Sequence, residues 1–173
     1  MASEQREEVV LIVDSSMWMD LYQFGLLEQI SQLPYQLRVP DFVWDELVIP
    51  STEEVEQLGV TIEGFDSNEI GEIQKIRAKR SGLSVPDASN IVLGLRCLTH
   101  FKVVYLAAHD SKLRKEAEVR GLPCKDGLDL LDEMVLAGHV EIVDALKIAP
   151  ELARGKKSIS QPKVNMLIAK WIK

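Results

Sequence analysis

Short apolar runs alternate along the chain with longer amphipathic stretches. Residues 9–13 form a continuous aliphatic run, which is typical of a strand buried on both faces of a parallel sheet. Residues 102–108 repeat this pattern, and weaker strand candidates lie at 36–39 and 60–65. The stretches between them predict helices at 17–24, 26–33, 41–49, 67–82, 88–98, 110–120 and 128–137, a helical turn at 52–57, and a short final helix. Strands that alternate with helices predict a parallel sheet with helices on both faces.

Capping residues mark the starts of several predicted helices. Asp14 and the two serines after it can cap the first helix, and Asp110 can cap the helix that follows the strand at 102–108. Ser84 and Asp87 are three residues apart, in the spacing of a capping box. These residues therefore predict where helices begin, before any functional role is considered.

Composition predicts one soluble globular domain with an unevenly distributed charge. The 173 residues are 46% hydrophobic and 27% charged, and the formal net charge is −7. Such an acidic surface argues at first against a nucleic-acid partner. Residues 151–173, however, hold six basic residues and one acid. The sequence thus predicts a main domain over 1–145 and a basic extension over 146–173.

Neither the cysteines nor the apolar segments indicate export or a membrane. Cys97 and Cys124 are too few for a zinc site, and neither lies in a CxxC motif. The acidic N-terminus lacks the basic region of a signal peptide. Charged residues interrupt the longest apolar stretch, at 91–108. We therefore expect a cytoplasmic protein with reduced thiols and no membrane partner.

Four acidic residues lie at the ends of predicted elements. Asp14 directly follows the first strand, and Asp110 follows the strand at 102–108. Asp87 opens the helix leading into that second strand, while Glu46 shares a helix face with apolar residues and is expected to point inward. Each acid has an alternative explanation as a helix cap or a solvated residue. Together they predict a carboxylate cluster at the carboxyl edge of the sheet, where ligands bind in open α/β folds.

A cluster of carboxylates requires a cation or strongly raised pKa values. Two carboxylates about 5 Å apart repel by roughly 3 kcal/mol at an effective dielectric constant of 20. Oxygen ligands without histidine or cysteine in motif spacing favour Mg²⁺ or Mn²⁺. Such an ion assists phosphodiester hydrolysis, so the acids predict a metal-dependent hydrolase.

Four segments carry a resemblance to a known family: VVLIVDSSMWMDL, VPDFVWDELV, LSVPDASNIVLGL and VVYLAAHDSKLRKEAEVRGLP. They resemble the PIN domain, a family of metal-dependent nucleases that includes VapC-type toxins, over roughly residues 9–140. The resemblance implies a three-layer α/β/α sandwich with a central parallel sheet of about four to five strands. It also implies an Mg²⁺- or Mn²⁺-dependent endoribonuclease, including the toxin of a toxin–antitoxin pair.

The same resemblance assigns roles to individual residues. It implies that Asp14, Asp87 and Asp110 ligate the metal, while Glu46 either ligates it or orients the attacking water. Ser15 or Ser16 would hold the loop after the first strand. An RNA substrate, an antitoxin partner and a homodimer are implied as well. By analogy, Trp18 is a candidate for the dimer face.

Two positions depart from the family pattern. Many members have Thr or Ser two residues before the last acid and often another acid two residues after it, where this chain has Ala108 and Lys112. The alternative is therefore a catalytically silent PIN-like fold that binds RNA or protein. Two other phosphate-handling classes are excluded, because no GxGxxG follows the first strand and Ser16 stands where a haloacid-dehalogenase phosphatase needs its second Asp.

Two basic segments are candidates for binding the phosphates of RNA despite the acidic net charge. One lies on the predicted helix at 67–82 and the other in the basic extension. The candidate substrate-binding residues are Lys75, Arg77, Lys79, Arg80, Arg154, Lys156 and Lys157.

Overall fold

A single five-stranded parallel sheet organises the computed structural model, which describes residues 8–173. The strand order is β3-β2-β1-β4-β5. The strands are β1 (Val9–Val13), β2 (Tyr35–Pro40), β3 (Thr61–Glu63), β4 (Val103–Ala107) and β5 (Cys124–Lys125). The predicted parallel sheet is confirmed. The two-residue β5 was not predicted, because so short a segment leaves no hydrophobic pattern to read.

Helices fill the connections between strands and complete the C-terminal part of the chain. They are α1 (Ser15–Gln23), α2 (Leu27–Gln32), α3 (Asp41–Glu46), α4 (Thr52–Glu56), α5 (Ser67–Lys79), α6 (Val85–Leu98), α7 (Ser111–Val119), α8 (Gly127–Leu136), α9 (Ile142–Ala153) and α10 (Gln161–Trp171). Helix α9 is absent from the predicted elements. Its Pro150 lies inside the helix and weakens the sequence signal.

The hydrophobic core forms two layers, one on each face of the sheet. Alternate residues of β1 belong to different clusters: Leu11 and Val13 lie in one, Val10 and Ile12 in the other. The first cluster includes residues of α1, α2, α8, α9 and α10, and the second includes residues of α5, α6 and α7. Helices thus cover both faces, which confirms the three-layer α/β/α architecture.

The C-terminal helices pack on the first of these two layers. Helix α9 contains the predicted boundary between residues 145 and 146. Helix α10 buries Val164, Leu167 and Trp171, and the indole of Trp171 donates a hydrogen bond to Asp132 Oδ1 at 2.8 Å. The functional separation of residues 146–173 stays a prediction.

Trp18 lies in the core and not on the surface. Its side chain has 0% exposure within the first cluster, so its suggested place on a dimer face is wrong. A homodimer through other residues stays a prediction. No helix among residues 8–173 has the length and apolar character that crossing a bilayer requires.

Candidate functional site

Asp14 and Asp110 lie at the carboxyl edge of the sheet, next to the central strands. The backbone N–H of Asp14 donates to the carbonyl of Ala107 at 3.1 Å, so the residue after β1 is joined to the end of β4. Asp110 caps α7, and its Oδ1 accepts a hydrogen bond from the backbone N–H of Leu113 at 2.8 Å. Both acids therefore lie where parallel α/β sheets bind ligands.

Asp14 is a buried carboxylate with only neutral hydrogen-bond donors. Its side chain accepts hydrogen bonds from Asn90 Nδ2 at 2.9 Å and from Ser16 Oγ at 3.1 Å, and the residue is 4% exposed. Burial raises the pKa of Asp14, and the negative charge of Asp87 raises it further, to about 6. No lysine or arginine in the described part of the chain pairs with it. The protein thus leaves this charge uncompensated.

Asp87 lies in the first turn of α6 and is also close enough to affect Asp14. Its Oδ2 accepts a hydrogen bond from the backbone N–H of Ser84 at 2.9 Å, while its own N–H donates to Ser84 Oγ at 3.1 Å. The predicted capping box is confirmed. Its charge nevertheless reaches Asp14. Capping and a role in the carboxylate cluster are therefore compatible for this residue.

Glu46 lies at the surface, and the prediction that it points inward is wrong. Helix α3 ends at Glu46, and Leu47 has extended backbone, so the helix face expected up to residue 49 does not form. Glu46 is exposed, and its Oε1 accepts a hydrogen bond from Ser15 Oγ at 2.8 Å. The carboxylate is therefore held beside the Asp14 loop, within reach of solvent.

The two serines after Asp14 face different concave surfaces. Ser15 lines a groove together with Glu46, Met19 and the segment 47–49. Ser16 lines a cleft together with Asp110, His109, Ser111 and the segment 155–158. We call the second surface the Asp110 cleft. Asp14 directly precedes both serines, so the two surfaces flank the loop that carries it.

The carboxylates fit a hard divalent cation without forming a complete cage. Among residues 8–173, no three Asp, Glu, His or Cys side chains are close enough to form a metal site by themselves. Asp14 and Asp87 are electrostatically coupled. Mg²⁺ typically keeps several waters and is held by one or two carboxylates and substrate phosphates. A buried, uncompensated Asp14 beside a second carboxylate fits that mode of binding.

Most of the predicted RNA-binding residues already have partners within the protein. The ion pairs are Lys75 with Glu72, Arg80 with Glu116, Arg154 with Glu151 and Lys156 with Asp20, while Arg77 donates to the carbonyl of Leu83. Lys79 and Lys157 are exposed and have no ion pair or hydrogen bond within the described chain. These two are the most available for an external anion.

Sequence reasoning missed Asn90, which is fully buried and orients Asp14. Asn90 follows Asp87 by three residues on α6, so both side chains lie on one face of the helix. Together with Ser89, it is also a polar interruption between Ala88 and the apolar residues from Ile91 onward. This interruption was the available signal, and it indicates a buried hydrogen-bond partner.

A second missed cluster joins the Asp110 cleft to α1. His109 Nε2 and Lys156 Nζ lie 3.0 and 3.1 Å from Asp20 Oδ2. Burial opposes ionisation of Asp20, but His109 and Lys156 outweigh it and hold the pKa of Asp20 below its ordinary value. The His109 ring also lies 3.1 Å from the position that a Cβ at Gly127 would occupy. These contacts fix the residue that precedes Asp110.

Comparison with known families identifies one match. The family model described as DUF3368: PIN domain matches residues 10–171, which includes helices α9 and α10. No curated protein is significantly similar to the chain.

Proposed function

Because this chain belongs to the PIN-domain family, whose members are typically nucleases, we propose that it is an Mg²⁺- or Mn²⁺-dependent endoribonuclease. The reaction would be hydrolysis of phosphodiester bonds in RNA. The observation that carries this proposal is the buried carboxylate of Asp14, which has neutral donors and a second carboxylate near it but no lysine or arginine partner among residues 8–173. Perturbed ionisable groups of this kind are concentrated at functional sites.

Asp14 and Asp87 are the residues that would hold the metal, with Asp110 as a further ligand at the neighbouring strand end. A divalent ion bound there would neutralise charge that develops on the phosphate and would make a water molecule more acidic. Glu46 would either join the ligands or orient the attacking water. Its exposure to solvent is compatible with either role.

The remaining polar residues of the site would position the carboxylates. Asn90 and Ser16 each occupy one oxygen of Asp14, which fixes the plane of its carboxylate. Ser15 holds Glu46 toward the same loop. The groove beside Glu46 and the Asp110 cleft would accept the strand on the two sides of the cleaved bond. This division supports cleavage within a strand.

The direct test is cleavage of single-stranded RNA with and without Mn²⁺. We expect Asp14→Asn and Asp87→Asn to abolish the Mn²⁺-dependent reaction, because each removes a negative charge from the proposed ion site. Asp144→Asn is the matched control, since Asp144 is exposed on α9 and lies outside the site. Thermal melts would establish that each variant is folded. Cleavage by either site variant at the wild-type rate would contradict the assignment.

The second candidate function is a PIN-like module that binds RNA or protein without cleaving it. Ala108 supplies no hydroxyl near Asp110, and Lys112 places a cation where many family members have an acid. Calorimetric titration with Mn²⁺ separates the two candidate functions, because a module that does not cleave RNA is not expected to bind the ion tightly. Absence of binding in the wild-type protein would favour this alternative.

We also propose that the protein acts in the cytoplasm as a homodimer, and that it is a toxin if a small antitoxin gene lies beside its own. Sedimentation velocity tests this proposal, because a dimer would give a molecular mass near twice the 19.4 kDa of the chain. The neighbouring reading frame tests the toxin role. A gene without such a neighbour would favour a role in RNA processing.

A further inference from the structure

A second, strongly basic cleft lies between the end of α5 and the start of α7. It has a volume of about 480 Å³. Lys79, Arg80 and Ser81 line one side, and Ser111, Lys112 and Lys115 line the other. We call it the lysine cleft. Four of its six lining residues are basic, although the whole chain has a net charge of −7.

The lysines of this cleft have no ion-pair or hydrogen-bond partners among residues 8–173. Lys79, Lys112 and Lys115 are exposed and make no ion pair or hydrogen bond within residues 8–173. Arg80 is paired with Glu116 at 2.7 Å. Elsewhere carboxylates compensate many basic side chains, as Glu133 does for Lys125 at 2.9 Å. Three uncompensated ammonium groups around one cleft favour binding of an anion.

The backbone at Gly82 leaves space for the Lys112 ammonium. Gly82 has a φ of +100°, in the left-handed region that favours glycine. A Cβ at this position would lie 2.9 Å from Lys112 Nζ. A side chain there would therefore strain the backbone and displace the ammonium. The loop between α5 and α6 thus leaves room for the Lys112 side chain at the cleft.

The lysine cleft adjoins the Asp110 cleft. Ser111 lines both the lysine cleft and the Asp110 cleft. Helix α7 begins at this residue and has no acid in its first turn after the capping Asp110, so its N-terminal dipole adds positive potential. An anionic strand whose cleaved bond lies near Asp14 and Asp110 would bring another phosphate toward the three lysines.

We propose that the lysine cleft binds a non-scissile phosphate of the RNA strand. The inference rests on the proposed function for the identity of the strand and adds the place where its backbone is held. Lys112 then has a role of its own: at a position where many PIN sequences have an acid, this chain makes a phosphate contact. Lys115, one turn further along α7, and Lys79 complete the contact.

The test measures binding of a fluorescent single-stranded RNA to the full chain in EDTA, at several salt concentrations. EDTA prevents cleavage. We expect Lys112→Ala combined with Lys115→Ala to raise the Kd roughly tenfold at low salt. The slope of log affinity against log salt should fall by about 0.7, the value for one phosphate contact on a single strand. Lys147→Ala combined with Lys173→Ala is the control, since both lysines are exposed and lie outside the lysine cleft.

Each result has a distinct meaning. If both double variants lose the same amount of RNA affinity, the proposed phosphate subsite is overturned, because the change in net charge alone would then explain the effect. If wild-type protein does not bind RNA at all, both the subsite and the proposed RNA substrate fail. If wild-type protein binds RNA and the lysine variant binds it equally well, only the subsite fails.

A second arm uses inorganic phosphate as the probe. If the lysine cleft served free phosphate and not a strand, the lysine variant would lose phosphate binding while RNA affinity stayed unchanged. That result would also overturn the inference. Under the proposal, the Michaelis constant for RNA cleavage in Mn²⁺ rises by a larger factor than the turnover rate falls, because the contact holds the strand at a distance from the reacting bond.

Discussion

Two buried aspartates in this protein have opposite electrostatic surroundings. Asp14 is 4% exposed and Asp126 is 1% exposed. Lys163 Nζ donates to Asp126 Oδ2 at 2.7 Å, and Arg114 Nη1 lies 3.9 Å from the same oxygen. Burial opposes ionisation of Asp126, but Lys163 and the backbone N–H of Asp129 outweigh it and lower its pKa. The pKa of Asp14 is instead raised to about 6.

The two aspartates differ in the partners of their carboxylates and not in their burial, and on this difference we assign Asp126 a structural role and propose a functional one for Asp14. Asp126 caps α8 and holds Lys163 of α10, so its charge stabilises the packing of the last helix. Among residues 8–173, no lysine or arginine compensates Asp14, and the charge of Asp87 makes its ionised form less favourable. Under the proposed function, a bound divalent cation would compensate this charge.

The largest expected effect is the loss of activity on neutralising Asp14. Asp14→Asn should lower the rate of Mn²⁺-dependent RNA cleavage by about 100-fold or more, because the proposed ion loses its most buried ligand. Its metal-free stability should be unchanged or higher, since an uncompensated buried charge is removed. Initial rates and urea unfolding in EDTA measure the two effects. A clear loss of stability without loss of activity would reverse the roles assigned to the two aspartates.

The next effect is the loss of stability on neutralising Asp126. Asp126→Asn should lower the free energy of unfolding by about 1–3 kcal/mol, because the partly buried Lys163 loses its shortest contact and keeps only its contact with Asp129 at 2.8 Å. Asparagine can still cap α8, so the change isolates the charge. Urea unfolding at neutral pH measures it, with Asp45→Asn at an exposed position of α3 as the control. Equal stabilities of the two variants would contradict a structural role for Asp126.

The Asp126 contribution should also depend on pH. A carboxylate with a lowered pKa stabilises the fold above its unfolded value, 3.8, and this contribution is lost as the pH falls through the folded-state pKa. The difference in unfolding free energy between wild type and Asp126→Asn should therefore be constant near neutrality and shrink below pH 3.8. Lys163, with a raised pKa, should retain its contribution up to pH 10.5. Urea melts across this range test both statements, and a difference that persists undiminished in acid would refute the first.

The smallest effect concerns the hydrogen bond that holds Glu46. Ser15→Ala should lower the cleavage rate by roughly threefold to tenfold, as expected for one hydrogen bond. Stability should barely change, because the bond is exposed. Ser31→Ala is the control, since its hydroxyl donates to a backbone carbonyl within α2, away from the site. If both variants lower the cleavage rate by the same factor, the proposed positioning role of Ser15 is wrong.

The parts of the fold with strong local signals were predictable from sequence. Strands β1 and β4 are continuous apolar runs, so the acids at their ends could be placed at one edge of the sheet. The capping box located the start of α6 in the same way. Helix α9 was not predicted because Pro150 lies within it. Strand β5 was not predicted because it is only two residues long.

The environment of each acid could not be read from local pattern. The pairing of Lys163 with Asp126 spans 37 residues and depends on how α10 packs against α8. Glu46 is exposed because α3 ends at this residue. The residue types at 47–49 give no clear signal for that helix end. The hydrogen bond from Asn90 to Asp14 likewise joins residues 76 apart. Contacts between distant parts of the chain, and not composition, therefore determine which carboxylates have a basic partner.

The most direct test of the central claim is calorimetric titration of Mn²⁺ into wild-type protein, Asp14→Asn and Asp126→Asn. If Asp14 belongs to a divalent-cation site, wild type and Asp126→Asn should bind the ion and Asp14→Asn should not. At an ion concentration of 100 times the Kd, binding should also stabilise the two competent proteins by about 2.7 kcal/mol. Equal binding by wild type and Asp14→Asn would contradict the account.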